Sequence, residues 1–149
     1  MTKRISIGIA GAGIGGLTAA ALLADRGHSV EVFDQFDTPQ PVGSGLVIQP
    51  VGQAVLDHIG AGDSARAFGN PIQRMLGHEA DNNRKVLNVW YDKIADGQYG
   101  LAIHRASLFE AIYRAVQARD VVVHTQSRIA AASAAWFTST MGRRMAPMT

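Results

Sequence analysis

The chain contains no cysteine, which excludes disulfides, thiolate metal sites and cysteine nucleophiles together and suits a reducing cytoplasm. It is also poor in charge: charged residues make up 17% of the chain and the net charge is only +2. A basic surface of the kind that binds nucleic acid is therefore not implied. The five histidines, His28, His58, His78, His104 and His124, lie far apart and lack ligand spacing. They read as scattered surface or structural residues, and no metal site is expected. No residue stands out as a catalytic acid or base. Internal repeats and low-complexity linkers are missing too, the alanine-rich stretch from Ala130 to Ala135 being the one compositional oddity. What is present is a hydrophobic share of 47% over 149 residues, enough for one domain with its own core.

Charge is absent as well from Ile5 to Ala24, just after Lys3 and Arg4, which gives this stretch the superficial look of a signal peptide or membrane span. Glycines crowd its first half, where an inserted helix would prefer leucine, and the stretch runs on into a strand and an acid. Export and membrane insertion are not expected. The same glycines describe a phosphate-binding turn. An apolar strand, Ile5 to Ala10, leads into Gly11-Ala-Gly13-Ile14-Gly15-Gly16. Side chains on Gly11 or Gly13 would keep a pyrophosphate from the backbone, and Gly16 lets the next helix pack closely on the strand. That helix, carrying Ala20 and Leu23 toward a sheet and ending at Gly27, offers unpaired N–H groups and a partial positive charge at its start. Val30, Val32 and Phe33 form a second strand, and Asp34 closes it 18 residues beyond Gly16, where a carboxylate is expected for ribose hydroxyls. The order of strand, glycine turn, helix, strand and acid predicts a Rossmann-type dinucleotide site.

Further along, Gln35 to Ser44 contains Pro39, Pro41 and Gly43 and reads as a loop. Leu46 to Gln49 predicts a short strand, and Pro50 opens a helix with Val51, Ala54, Val55, His58 and Ile59 on one face, stopped by Gly60. Ile72 to Leu76 and Val86 to Tyr91, around the polar turn Glu79 to Asn83, predict a hairpin, which is foreign to a plain βαβ repeat and fits a second, substrate-side sheet. Leu101 to His104 predicts a strand. Arg105 then opens a helix in which Ser107 and Glu110 have capping-box spacing and Leu108, Ile112 and Val116 form an apolar stripe. The unbroken valines of Asp120 to Thr125 predict a parallel strand buried on both faces beside the second strand.

Three separated segments resemble the FAD-dependent aromatic-hydroxylase type of monooxygenase, the class A flavoprotein monooxygenases. They are Gly11 to Gly27 with Asp34; Gly43-Ser-Gly45-Leu-Val-Ile-Gln-Pro50 with its helix to Gly60; and Ile103-His-Arg105-Ala-Ser-Leu108, similar to that family's Arg-x-x-Leu element. The spacing from Arg105 to Ile129 fits a position whose backbone meets the adenine. The resemblance implies an α/β fold: a three-layer, Rossmann-like FAD-binding domain with a parallel sheet and an inserted antiparallel hairpin from the substrate-side sheet. It implies FAD as cofactor, NAD(P)H as co-substrate, and oxygenation by O2 of an aromatic or similar small molecule. Cofactor-binding roles are implied for Gly11, Gly13, Ile14, Gly15, Gly16, Asp34, Gln35, Gly45, Arg105 and Ile129, with Arg105 at the phosphate or ribityl region. Asp34 departs from the usual glutamate, which leaves an NAD-binding dehydrogenase domain open as an alternative, and a non-catalytic interaction module is another.

The family is similar in plan but more than twice as long. From Trp136 to Arg144, with Gly142-Arg-Arg144, the chain resembles the start of the family's antiparallel meander. The family's later Asp-Gly and Gly-Asp motifs do not follow Pro147. The expectation is a single truncated FAD-binding domain over 1–149, incomplete at its C-terminus, with a substrate-side insertion at about 70–103 and an irregular tail at about 139–149. A truncated or frame-shifted monooxygenase of this kind would hold FAD weakly or not at all. Its first strand would present an apolar edge through which the chain could self-associate.

Overall fold

The computed structural model describes residues 4–38, 43–93, 96–133 and 136–139. Strand β1 (Ser6–Ala10) leads through the glycine turn into helix α1 (Ile14–Asp25), and β2 (Ser29–Phe33) follows. Gly27, at φ +84°, ends α1, donating its N–H to the Ala24 carbonyl at 2.8 Å. It adopts the left-handed conformation that a helix stop requires and that glycine alone takes up without cost. Next come β3 (Gly45–Ile48), α2 (Pro50–His58), α3 (Gly62–Ala67), β4 (Gly69–Ile72), β5 (Arg74–His78), β6 (Lys85–Trp90) and β7 (Gly100–His104). Helix α4 (Arg105–Gln117), β8 (Val121–His124), β9 (Ile129–Ser133) and β10 (Trp136–Ser139) complete the described elements.

Strands β1, β2 and β8 form a parallel sheet in the order β1-β2-β8, a Rossmann-like arrangement in which both crossovers contain a helix. One face of that sheet, with Ile9, Val30, Val32, Val121 and Val123, packs on Leu17, Ala20 and Ala21 of α1 and on Leu108, Ile112 and Val116 of α4. Beside it, β3, β7 and β4 form an antiparallel sheet in the order β3-β7-β4, and β5 pairs with β6 as a hairpin. Leu101 and Ile103 of β7 join Leu56, Ile59 and Ala65 in the same buried cluster as the parallel sheet, so one core serves both sheets. Asp25 at the end of α1 is clamped to Arg119 beyond α4 by two hydrogen bonds of 2.7 Å. The guanidinium holds the Asp25 carboxyl below its usual range.

Four expectations need correction. The buried face of α2 is Gln53, Leu56 and the adjoining Ile59, while Val51 is 75% exposed and Ala54 and His58 also face out. The polar Gln53 takes the inner face because its amide donates to the Tyr99 carbonyl at 2.7 Å and the Ile48 carbonyl at 3.4 Å, bridging β3 and the entrance to β7. Helix α4 is capped by His104, whose Nδ1 accepts from the Ala106 N–H at 3.2 Å; Ser107 lies inside the helix, and Glu110 pairs instead with Arg114. β8 does lie beside β2, but it is not buried on both faces: Val122 is 50% exposed. On that outer face Glu31 meets His124 at 2.6 Å, and Phe33 stacks on the imidazole. Finally, the run from Ile72 to Leu76 is divided at Gln73 between β4, which pairs with β7, and β5, which pairs with β6. Helix α3 had no counterpart in the sequence reading. Pro39, Pro41 and the segment from Gly142 to Arg144 lie outside the described residues.

Candidate dinucleotide site

β2 and β8 run parallel, and α1 and α4 each return against the sheet, so both helices start at its carboxyl edge. There the glycine turn meets Asp34, and Arg105 opens α4 against Gly43 and Ser44. Gly11 at φ +104° turns the chain out of β1 and donates its N–H to the Phe33 carbonyl at 2.7 Å. Methyl groups built on Gly11, Gly13 or Gly15 would meet nothing within 4 Å, so the turn opens onto free space. Gly16 is the opposite case: a methyl there would overlap the Gly11 carbonyl oxygen and lie 3.4 Å from Ile9 Cγ2. Two functions of the motif are thus separated, open approach at Gly11, Gly13 and Gly15 and close helix–strand packing at Gly16.

Gly13 is the N-cap of α1 and supplies no side-chain cap, and the N–H groups of Ile14, Gly15 and Gly16 find no acceptor among the described residues. An uncapped helix start aimed at open space is a ready seat for a phosphate. Asp34 is half-buried at the end of β2; its Oδ2 accepts from the Ala12 N–H at 2.6 Å and its Oδ1 from the Phe36 N–H at 3.0 Å. Gln35 beside it is exposed. The loop after β8 is stitched onto this segment: Ser127 N–H donates to the Asp34 carbonyl at 2.7 Å, and Gln126 N–H to the Phe36 carbonyl at 2.9 Å. Half-buried Ile129 opens β9 just beyond that loop.

Arg105 is exposed at the start of α4, and its guanidinium has no carboxylate partner among the described residues. It lies across Gly43, where a methyl would come within 2.9 Å of the movable Nη1; the φ of +113° is what favours glycine there. The Arg105 N–H donates to the Ser44 carbonyl at 3.3 Å, and Gly45 pairs with His104 across β3 and β7. The third sequence segment is therefore bonded directly to the second. Sequence reasoning did not identify Ala12, whose N–H ties the turn to Asp34; nothing in the residue type signals a backbone contact. Among the described residues there is no group of three or more His, Asp or Glu side chains placed to hold a metal ion, and no helix long and apolar enough to cross a membrane.

Fold and turn together define the chain as a Rossmann-type dinucleotide-binding unit joined to an antiparallel sheet. The profile of the NAD(P)-binding Rossmann-like domain matches residues 9–39. The 3-amino-4-hydroxybenzoate 2-monooxygenase of Streptomyces cremeus is 45% identical over 114 residues, which are 74% of this chain and 29% of that protein. The FAD-dependent urate hydroxylase of Klebsiella pneumoniae is 39% identical over 67 residues, 45% of this chain and 17% of that protein. Among solved structures, 2-methyl-3-hydroxypyridine-5-carboxylic acid oxygenase superposes with a TM-score of 0.82 at 22% identity, over 98% of this chain and 38% of its own. The chain is thus a relative of the FAD-dependent aromatic-hydroxylase type of monooxygenase. It matches a part of these proteins, under a third of the length of either curated relative.

Proposed function

We propose that the chain is the FAD-binding portion of a flavin-dependent monooxygenase that uses NAD(P)H and O2 to hydroxylate an aromatic or similar small molecule. The observation that carries this reading is an uncapped α1 N-terminus over open glycines beside the Asp34 carboxylate, with the Arg105 guanidinium, unpaired among the described residues, at the start of α4. These groups fit an adenosine diphosphate with a polar extension. Gly11, Gly13, Ile14, Gly15 and Gly16 would hold the pyrophosphate, Asp34 and Gln35 the ribose, and the backbone at Ile129 the adenine. Gly45 and Arg105 would meet the flavin side, where a planar set of guanidinium donors suits phosphate or ribityl oxygens. When bound, FAD supplies the redox chemistry, and the chain supplies binding, orientation and charge.

On this reading the chain forms one FAD-binding domain, with the segment at about 70–103 facing the substrate; the tail expected at about 139–149 lies, from residue 140 on, outside the described residues. The chain works in the cytoplasm. Among the described residues β1 pairs only with β2, and Ile5 is 48% exposed, which supports self-association through that edge. The test is oxidation of NADH or NADPH by the purified chain with added FAD and a hydroxybenzoate. FAD-dependent oxidation stimulated by the aromatic acid supports the full activity, and FAD binding without oxidation confines the chain to the cofactor-binding role. Binding of NAD with no binding of FAD would contradict the proposal in favour of a dehydrogenase domain.

A further inference from the structure

We infer that Asp34 is a positioning residue for the phosphate turn, holding its backbone in the receptive shape independently of any contact with ribose. The inference rests on the reading of this edge as a site for an adenosine diphosphate moiety and adds to it a role for the acid that ribose recognition does not require. Three observations carry it. The Ala12 N–H, in a residue only 3% exposed, is directed at Asp34 Oδ2 at 2.6 Å, so the carboxylate satisfies the backbone donor of a buried residue. The acceptor is itself fixed: Oδ1 takes the Phe36 N–H at 3.0 Å, Asp34 N–H donates to the His124 carbonyl at 2.9 Å, and the Asp34 carbonyl accepts from Ser127 N–H at 2.7 Å. Besides the Gly11 N–H bond to the Phe33 carbonyl at 2.7 Å, side-chain packing adds nothing at Gly11, Gly13 and Gly15, where a built methyl has no heavy atom within 4 Å, and glycine backbone is the most costly to order. A carboxylate fixed by its own loop, on a residue whose backbone is pinned to β8 and the loop after it, thus transmits the position of the sheet edge to a turn with no side-chain packing at those glycines.

This predicts that Asp34 matters even to a ligand with no ribose hydroxyl to offer it. The experiment titrates the chain with ADP and with 2′,3′-dideoxy-ADP, as wild type, Asp34→Ala and Asp34→Asn. Loss of a charged acceptor from the Ala12 N–H should weaken the dideoxy compound about tenfold or more in Asp34→Ala, and ADP by at least as much, with partial rescue in Asp34→Asn, which keeps one acceptor. An Asp34→Ala variant that weakens ADP but leaves the dideoxy compound unaffected would overturn the inference, because the carboxylate would then act through the hydroxyls alone. Amide hydrogen exchange without added nucleotide gives an independent readout. Ala12 should exchange at least about tenfold faster in Asp34→Ala, while Leu17 and Val32 in the core keep their protection and report that the variant is folded. Unchanged exchange at Ala12 would refute the role, and should the Ala variant lose core protection, the same comparison in Asp34→Asn decides it. A wild-type chain that binds neither ADP nor FAD would instead refute the functional reading, with the exchange at Ala12 still deciding the inference.

Discussion

Replacing Gly16 or Gly13 by alanine adds the same methyl group to the same turn and should produce opposite failures. At Gly16 the methyl runs into the Gly11 carbonyl oxygen and lies 3.2 Å from its carbon. That carbonyl belongs to a residue at φ +104° whose N–H is already bonded to Phe33, so the turn cannot easily move away. Overpacking against backbone costs ~3 kcal/mol, and the better helix propensity of alanine returns ~1 kcal/mol. The net loss of ~2 kcal/mol corresponds, for a domain of this size, to a melting temperature lower by ~6 °C. At Gly13 the backbone is at φ −79° and ψ 179°, open to any residue, and a methyl meets nothing within 4 Å. Gly13→Ala loses some N-cap preference, ~0.5–1 kcal/mol, which the smaller unfolded-state entropy of alanine largely offsets, ~0.4–1 kcal/mol, yet its methyl occupies the path of the pyrophosphate and should weaken FAD by about tenfold or more, equivalent to ~1.4 kcal/mol. Thermal unfolding by circular dichroism, paired with FAD titration, reads both effects. A Gly16→Ala variant melting within ~1 °C of wild type, against the ~6 °C expected, would refute the packing argument, and a Gly13→Ala variant with unchanged FAD affinity would refute the open-approach argument.

Arg105→Met should leave urea stability unchanged, because the guanidinium is exposed and has no carboxylate partner among the described residues, while FAD affinity falls severalfold in a fluorescence titration. Gln53→Leu keeps the volume but leaves the Tyr99 carbonyl without its 2.7 Å donor, and a loss of ~1–3 kcal/mol is expected in urea unfolding. The Asp25–Arg119 clamp should be visible in acid. The folded-state pKa of Asp25 is depressed, so its contribution is present above its ordinary value of 3.8 and is lost as pH falls through the lowered folded value. Asp25→Asn should therefore destabilise the chain at neutral pH and narrow its stability difference from wild type below about pH 4, measured as unfolding midpoints across a pH series.

The turn from Gly11 to Asp34 was legible because each of its glycines answers a local backbone demand, and such demands are written in residue type and spacing. The Gly16 methyl that would strike Gly11, the open face at Gly13 and the positive φ at Gly27 all restate what the motif implied. The inner face of α2 was not legible in the same way. Periodicity marks Val51 and Val55 as apolar and Gln53 as polar, but two carbonyls from β3 and the approach to β7 make the Gln53 site hospitable to an amide, and only the tertiary fold brings them there. His104 as the cap of α4 was hidden for a related reason, since histidine is outside the usual set of capping residues and the helix begins one turn earlier than the Ser107–Glu110 spacing suggests. A valine run likewise reports hydrophobicity without reporting cover, and Val122 lies on the sheet face away from α1 and α4. Within the candidate site, spacing singles out Asp34 as a candidate, but its bond to Ala12 N–H joins a side chain to a backbone donor 22 residues away, a pairing no residue pattern records.

The central claim is that the carboxyl edge of the parallel sheet is a seat for FAD, and the most direct measurement is a titration of the purified chain with FAD, followed by quenching of flavin fluorescence, with ADP as competitor. The account predicts saturable binding at one site per chain, weak but displaced by ADP and abolished in Gly13→Asp, where a carboxylate would stand in the path of the pyrophosphate. Absence of binding, or binding that persists unchanged in Gly13→Asp, would contradict it.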